Sequence, residues 1–255
     1  MKNILLIAGK ELRSYFASPI AYLLMAAFGL IFGFTFYSSV RQMMTMSLQA
    51  QMMGQQQPMN VNDMIIRPLL GFAGTITLFL VPMITMRLIA EEKRNGTIEL
   101  LLTSPVYDNE IIIGKWLGAM MLFLCILAMS LVNIVLLFIW GKPDLQPVLV
   151  AYLGLILQGG CLLAIGLFIS TTTRNQIIAG GVTFFVCLFL YLLQYFTEFS
   201  SGAVSQVLSY LCIVTHLDNF SKGLISLKDC IFYASMIFFA LFLSARSMES
   251  LRWRS

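Results

Sequence analysis

The sequence predicts an all-α polytopic membrane protein with six transmembrane helices, and three observations predict it. Hydrophobic residues fill 59% of the 255 positions and charged residues only 11%, about half the charge of a soluble domain. Mean hydropathy is +0.86. The apolar residues also arrive in runs near or above the roughly 20 residues that a helix needs to cross hydrocarbon. Such runs leave no room for a sizeable soluble domain. The net charge of +4 does not point to nucleic acid, because the basic residues sit at the ends of runs rather than along one stripe.

The first element is "MKNILLIAGKELRSYF". Its apolar part, Ile4 to Ala8, is shorter than a secretory h-region, and Lys10, Glu11 and Arg13 interrupt it. On a helix, Ile4, Ala8, Leu12 and Phe16 share one face. Residues 1–18 are therefore expected as an amphipathic helix lying on the membrane surface. Six spans follow, at about 20–39, 69–89, 115–139, 148–170, 177–196 and 229–245. The third carries Trp116 and Trp140, 24 residues apart. That is roughly 36 Å of helix, from one interface to the other, where tryptophans prefer to sit. The connection 40–68 is rich in Met and Gln and is expected to carry a surface helix. In 197–228, the piece "VLSYLCIV" is expected to dip back into the interface.

Basic residues set the orientation. With the N-terminus cytoplasmic, Lys2, Lys10, Arg13, Arg87, Lys93, Arg94, Lys115, Arg174, Arg246, Arg252 and Arg254 lie inside, which is eleven. Arg41, Arg67, Lys142, Lys222 and Lys228 lie outside, which is five. The bias places both termini in the cytoplasm.

The largest cytoplasmic connection opens with "EEKRNGTIELLLTSPV", residues 91–106. Span two is expected to continue as helix into Glu91, Glu92, Lys93 and Arg94, with Arg87 and Glu91 paired four residues apart. Asn95 and Gly96 tolerate the left-handed conformation that stops a helix. Thr97 can cap a second one, with Glu99 in its first turn, Leu100 and Leu101 in its body and Pro105 at its end. A short helix with an unpartnered apolar side is the result. Pattern alone allows an ordinary interfacial helix as well.

The stretch "MRLIAEEKRNGTIELLLTSPVYDNEIIIGKWLGA" resembles the matching segment of ABC-2 type transporter permeases, closest to the gliding-motility (GldF-like) and NosY-like branch. "KELRSYFASPIAYLL", "STTTRNQIIAG" and "HLDNFSKGLISLKDCIFYASMIFFALFLSAR" extend the resemblance over most of the chain in the right order. It implies a single ABC-2 transmembrane domain over 1–255, of the type V exporter-like architecture, with 1–18 as connecting helix and 96–105 as coupling helix. It implies two separate ABC ATP-binding subunits, which hold the ATP and magnesium, gripping Gly96 to Pro105 while Glu91 to Arg94 fix the connection. A second copy of the chain or a related permease, an accessory membrane or periplasmic subunit and the lipid bilayer complete the implied partners. Location in the bacterial inner membrane and export are implied too, as is a force-coupling role in a surface apparatus. The chain itself carries no P-loop: "IIIGKW" lacks the upstream glycine and the hydroxyl after lysine. No cofactor or catalytic residue is expected in it.

Polar residues inside spans stand out because lipid cannot satisfy them. Thr75, Thr77 and Thr85 on span two, with Thr183 and Gln194 on span five, are candidates to line a path. Hydrogen bonding between helices accounts for them equally well. His216 and Asp218 form the one metal-like pair, and a structural role suits them better for want of further ligands. Met43, Met44, Met46, Met52, Met53, Met59 and Met64 offer thioethers that suit Cu(I), although Met43, Met46, Ala50 and Met53 also share a helical face. The cysteines follow no metal spacing, and a Cys212–Cys230 disulfide is left open.

Overall fold

The computed structural model describes residues 2–53, 60–103, 106–141, 143–199 and 202–252, without the side chains of residues 101, 102, 198, 199, 203, 204, 251 and 252. Helices alone make up its regular structure among these residues. They are α1 (Lys2–Ala17), α2 (Pro19–Met52), α3 (Arg67–Thr85), α4 (Ala90–Asn95), α5 (Ile98–Leu102), α6 (Asp108–Gly141), α7 (Leu145–Thr172), α8 (Gln176–Phe199), α9 (Ala203–Leu211), α10 (Ile213–Ser221) and α11 (Leu227–Arg252). A π-helical turn, Asn62–Ile66, leads directly into α3. Six stretches are long and apolar enough to cross a membrane.

Ser18 separates α1 from α2. Its extended backbone and its hydroxyl, which accepts from the Ile20 N–H at 3.5 Å, start α2 with Pro19 in the first turn. Residues 40–53 hold no Gly or Pro to stop a helix. Among the described residues of 40–68 no surface helix stands apart from the span, and α2 continues unbroken to Met52. Met43 packs on the core, while Met52 and Met53 stand exposed.

Buried α7 is the centre, packed by α11, α3, α10 and α8. Glycines set the closest approaches. A Cβ on Gly159 would lie 2.1 Å from the Phe123 ring, one on Gly154 would lie 2.5 Å from Phe220, and one on Gly166 would lie 2.4 Å from Thr85 Oγ1. Small residues of this kind let membrane helices come together without hydrophobic drive. The 197–228 connection folds as α9, against α8, and α10, against α7 and α3.

The Trp116 indole N–H donates to the Gly160 carbonyl on α7 at 3.0 Å and joins two helices. Trp140 is 86% exposed. The five cysteines are free thiols.

Candidate functional site

Pro82 lies inside α3 and supplies no N–H to the helix ladder. Three residues on, at Thr85, the helix ends, and Met86 to Ile89 form a turn before α4 begins. Span two thus does not run unbroken into the charged stretch as the sequence suggested. Ile84, Leu88, Ile89 and Ala90 are all buried, so the backbone groups freed here need partners. Three distant side chains provide them. Ser170 Oγ accepts from the Ile89 and Ala90 N–H groups at 3.1 and 3.0 Å. Tyr15 donates its hydroxyl to the Ile84 carbonyl at 2.9 Å, and Lys115 Nζ donates to the Leu88 carbonyl at 2.7 Å.

Lys115 also binds two carboxylates, Glu11 Oε1 at 2.7 Å and Glu92 Oε1 at 2.9 Å. Its three ammonium donors are thereby all engaged. The side chain is 2% exposed, a position tolerable for a charge only when it is paired and hydrogen-bonded. Gly114 and Gly118 make the geometry possible. A Cβ on the first would lie 2.8 Å from Ile7 and one on the second 2.6 Å from Glu11, so α1 rests directly on α6. Burial pushes the Tyr15 phenol well above its ordinary range, with the Glu11 charge adding to it, so it stays a hydrogen-bond donor.

Arg87 and Glu91 do not pair as expected. The break between them removes the helical register that a four-residue spacing relies on, and Arg87 turns to Ser18 Oγ at 3.4 Å. Arg87 Nε and Glu92 Oε2 are buried without a hydrogen-bond partner among the described residues. Lys93 donates to the Thr171 carbonyl at the C-terminal end of α7, where the helix dipole favours a cation. Arg94 is exposed.

Gly96 ends α4 at φ 72°, a conformation that suits glycine. The Thr97 hydroxyl donates back to the Glu92 carbonyl at 3.4 Å. Glu99 sits in the first turn of α5, and its carbonyl accepts from Thr103. Ile98 packs against the core, whereas Leu100 is 74% exposed. Pro105 lies outside the described residues, as does the Leu101 side chain.

The path candidates are not brought together in one place. Thr77, Thr85 and Thr183 are fully buried, and their hydroxyls donate to the Ala73, Val81 and Ala179 carbonyls of their own helices. Gln194 is half-buried near the end of α8. Thr75 lines a cavity of about 540 Å³ with Gln158. His216 is structural in geometry: Nδ1 meets Asp229 Oδ1 at 2.6 Å, Nε2 meets the Tyr210 carbonyl at 2.9 Å, and the ring stacks on Phe232. Neither nitrogen is left for a metal. Asp218 turns away to Arg67 and Lys222. No cluster of metal-ligating side chains occurs among the described residues.

Sequence reasoning missed Tyr15, Glu11, Lys115 and Ser170. The one available signal was Lys115 itself, a charge that follows "EIIIG" and precedes 26 residues without another.

A helical bundle with six apolar spans among the described residues defines a multi-pass membrane protein. The chain belongs to the ABC-2 family of transporter proteins, whose family model matches residues 5–245. Comparison with curated proteins gives no match.

Proposed function

We propose that this chain is the membrane-spanning permease subunit of an ATP-driven exporter and that residues 91–105 receive separate ATP-binding subunits. The observation that carries the reading is the pairing of a fixed root with an unpartnered tip. Glu92, at the root, is ion-paired to buried Lys115, while Leu100, at the tip, presents an exposed apolar side chain. A helix as short as α5 has little stability alone, so a docked partner gives it a reason to exist. Two copies of the chain, or one copy with a related permease, would work with two ATPase chains. Both termini would face the ATPase in the cytoplasm of a bacterial inner membrane.

The test is co-purification of the full chain with candidate ABC ATP-binding subunits from the same genome. Leu100→Asp and Leu101→Asp alter no span, so both variants should insert normally but lose ATPase binding and stimulation. Full association by both would overturn the docking assignment. Cysteines at Gln56 and Ser201 should react with an impermeant reagent added outside, and cysteines at Asn95 and Ser255 should not. The likeness of "EEKRNGTIELLLTSP" to the gliding-motility branch favours a second reading, in which the motion drives a surface apparatus. ATP-dependent translocation by the reconstituted complex would exclude it.

A further inference from the structure

We propose that the cavity between α3, α7, α8 and α10 binds a neutral amphiphile that donates one hydrogen bond at its buried end. The cavity holds about 540 Å³, within the roughly 300–1,000 Å³ of small-molecule sites. Phe72, Leu217 and Tyr191 give it apolar walls. Gln158 forms its buried end.

Gln158 is 1% exposed, and its Oε1 has no hydrogen-bond partner among the described residues. Its Nε2 donates to the Gly74 carbonyl at 3.4 Å. That contact fixes which end of the amide is which, since a flip would set oxygen against oxygen. The unmet valence is therefore an acceptor, and only an N–H or O–H satisfies it. The amide is also held in place: a Cβ on Gly74 would lie 2.9 Å from Oε1 and 2.4 Å from Leu217 Cδ2. A buried amide oxygen within an otherwise apolar span is unfavourable unless something occupies the space before it. Thr75 adds a half-buried hydroxyl at the same depth.

The rim explains why the occupant is neutral. Arg67 binds Asp218 at 2.8 Å, and Lys222 binds the same carboxylate at 2.6 Å. The charged lining residues are Asp63, Arg67 and Asp218, and Lys222 adds a second positive charge from just outside the lining, so the two signs balance and neither is selected. Arg67 and Gly74 are seven residues apart on α3, which sets roughly 10 Å of apolar wall between the rim and the Gln158 amide. A medium-length chain ending in a hydroxyl or amide fits that profile.

The test uses the purified full chain in nanodiscs without the ATPase, so its result is independent of the docking assignment. A diazirine-bearing octanol is photolysed and the labelled residues are mapped by mass spectrometry. Labelling should concentrate on Phe72, Leu217 and Tyr191. Free 1-octanol should protect these positions at about fivefold lower concentration than octyl methyl ether, which has the chain but no donor; one hydrogen bond accounts for that ratio. Gln158→Leu should keep the labelling and abolish the preference. Gly71→Leu should abolish the labelling with the fold intact, because a Cβ there meets nothing within 4 Å and the residue lines the cavity. Labelling no stronger than on outward-facing Phe185 and Phe238 would overturn the proposal. Equal protection by the alcohol and the ether in the unaltered chain would do the same, whether or not Gln158→Leu folds.

Discussion

Lys115 Nζ stands 2.9 Å from Glu92 Oε1 and 2.7 Å from Glu11 Oε1. One buried ammonium thus ties α1, at the beginning of the chain, to the root of the short helices that follow α3. Removing it should be costly in a particular way. Lys115→Met leaves two carboxylates facing each other beside an unpartnered Leu88 carbonyl, and breaking a buried pair in this manner costs about 3–5 kcal/mol. Melting in detergent should fall markedly. Adding Glu11→Gln and Glu92→Gln to that variant should recover much of the loss, because uncompensated charge rather than the missing pair is the main penalty. A triple variant no more stable than the single one contradicts this account.

Ser170→Ala deletes the acceptor for two backbone donors. A buried unsatisfied donor costs about 1–3 kcal/mol, and here the loss is confined to Ile89 and Ala90. Amide hydrogen exchange should speed up across residues 86–93 and remain unchanged in α7 itself. Uniformly faster exchange through α7 would mean that Ser170 serves helix packing instead.

The two aspartates near His216 should behave differently. Asp229 is 3% exposed at its side chain, and Asp229→Ala leaves His216 and Asn219 without their acceptor, for several kcal/mol. Asp218 is 42% exposed, and an exposed pair is worth less than about 1 kcal/mol. Partial burial raises the Asp218 carboxyl, but hydrogen bonds from Lys222 and Arg67 outweigh it and hold the group below its ordinary value. A carboxyl lowered on folding contributes its full stability above the unfolded value of about 3.9. That contribution disappears only as pH falls through the lower folded value. The melting difference between the chain and Asp218→Asn should therefore be small and constant from about pH 8 to pH 5, and should vanish in stronger acid.

Glycines in the same class of helix should separate cleanly. Gly159→Ala drives a methyl to 2.1 Å from Phe123, whereas Gly181→Ala meets nothing within 4 Å. The first should destabilise by about 1–3 kcal/mol. The second should be neutral or slightly stabilising, since alanine favours helix. Thermal melting of the two variants checks the contrast.

The spans were legible because hydropathy over about 20 residues is a local property. Gly96 was legible for a similar reason, since Asn-Gly is a helix stop wherever it falls. Glu91 and Glu92 looked alike in the sequence and are not alike in the structure. Only Glu92 meets Lys115, and that depends on a residue 23 positions away. The break at Met86 to Ile89 was hidden for the same reason. Pro82 hinted at it, but the groups that sustain it come from Tyr15, Lys115 and Ser170. Arg87 and Glu91 then misled, because their spacing is informative only on an intact helix. Residues 40–52 misled in the opposite sense, since falling hydropathy marks the edge of hydrocarbon and not the end of a helix.

An unbroken helix transmits thrust along its axis like a rod, but no rod joins Thr85 to Ala90. On the proposed docking, a push arriving at Leu100 would not travel straight up α3. It would divide among lateral struts: Ser170 and Lys93 into α7, Lys115 into α6 and α1, and Tyr15 from α1 to the end of α3. The short helices are mounted on these struts, and their stiffness is set by one hydroxyl, one phenol and two ammonium groups. Altering the chemistry of those four groups would change how much load reaches the bundle while leaving every span untouched.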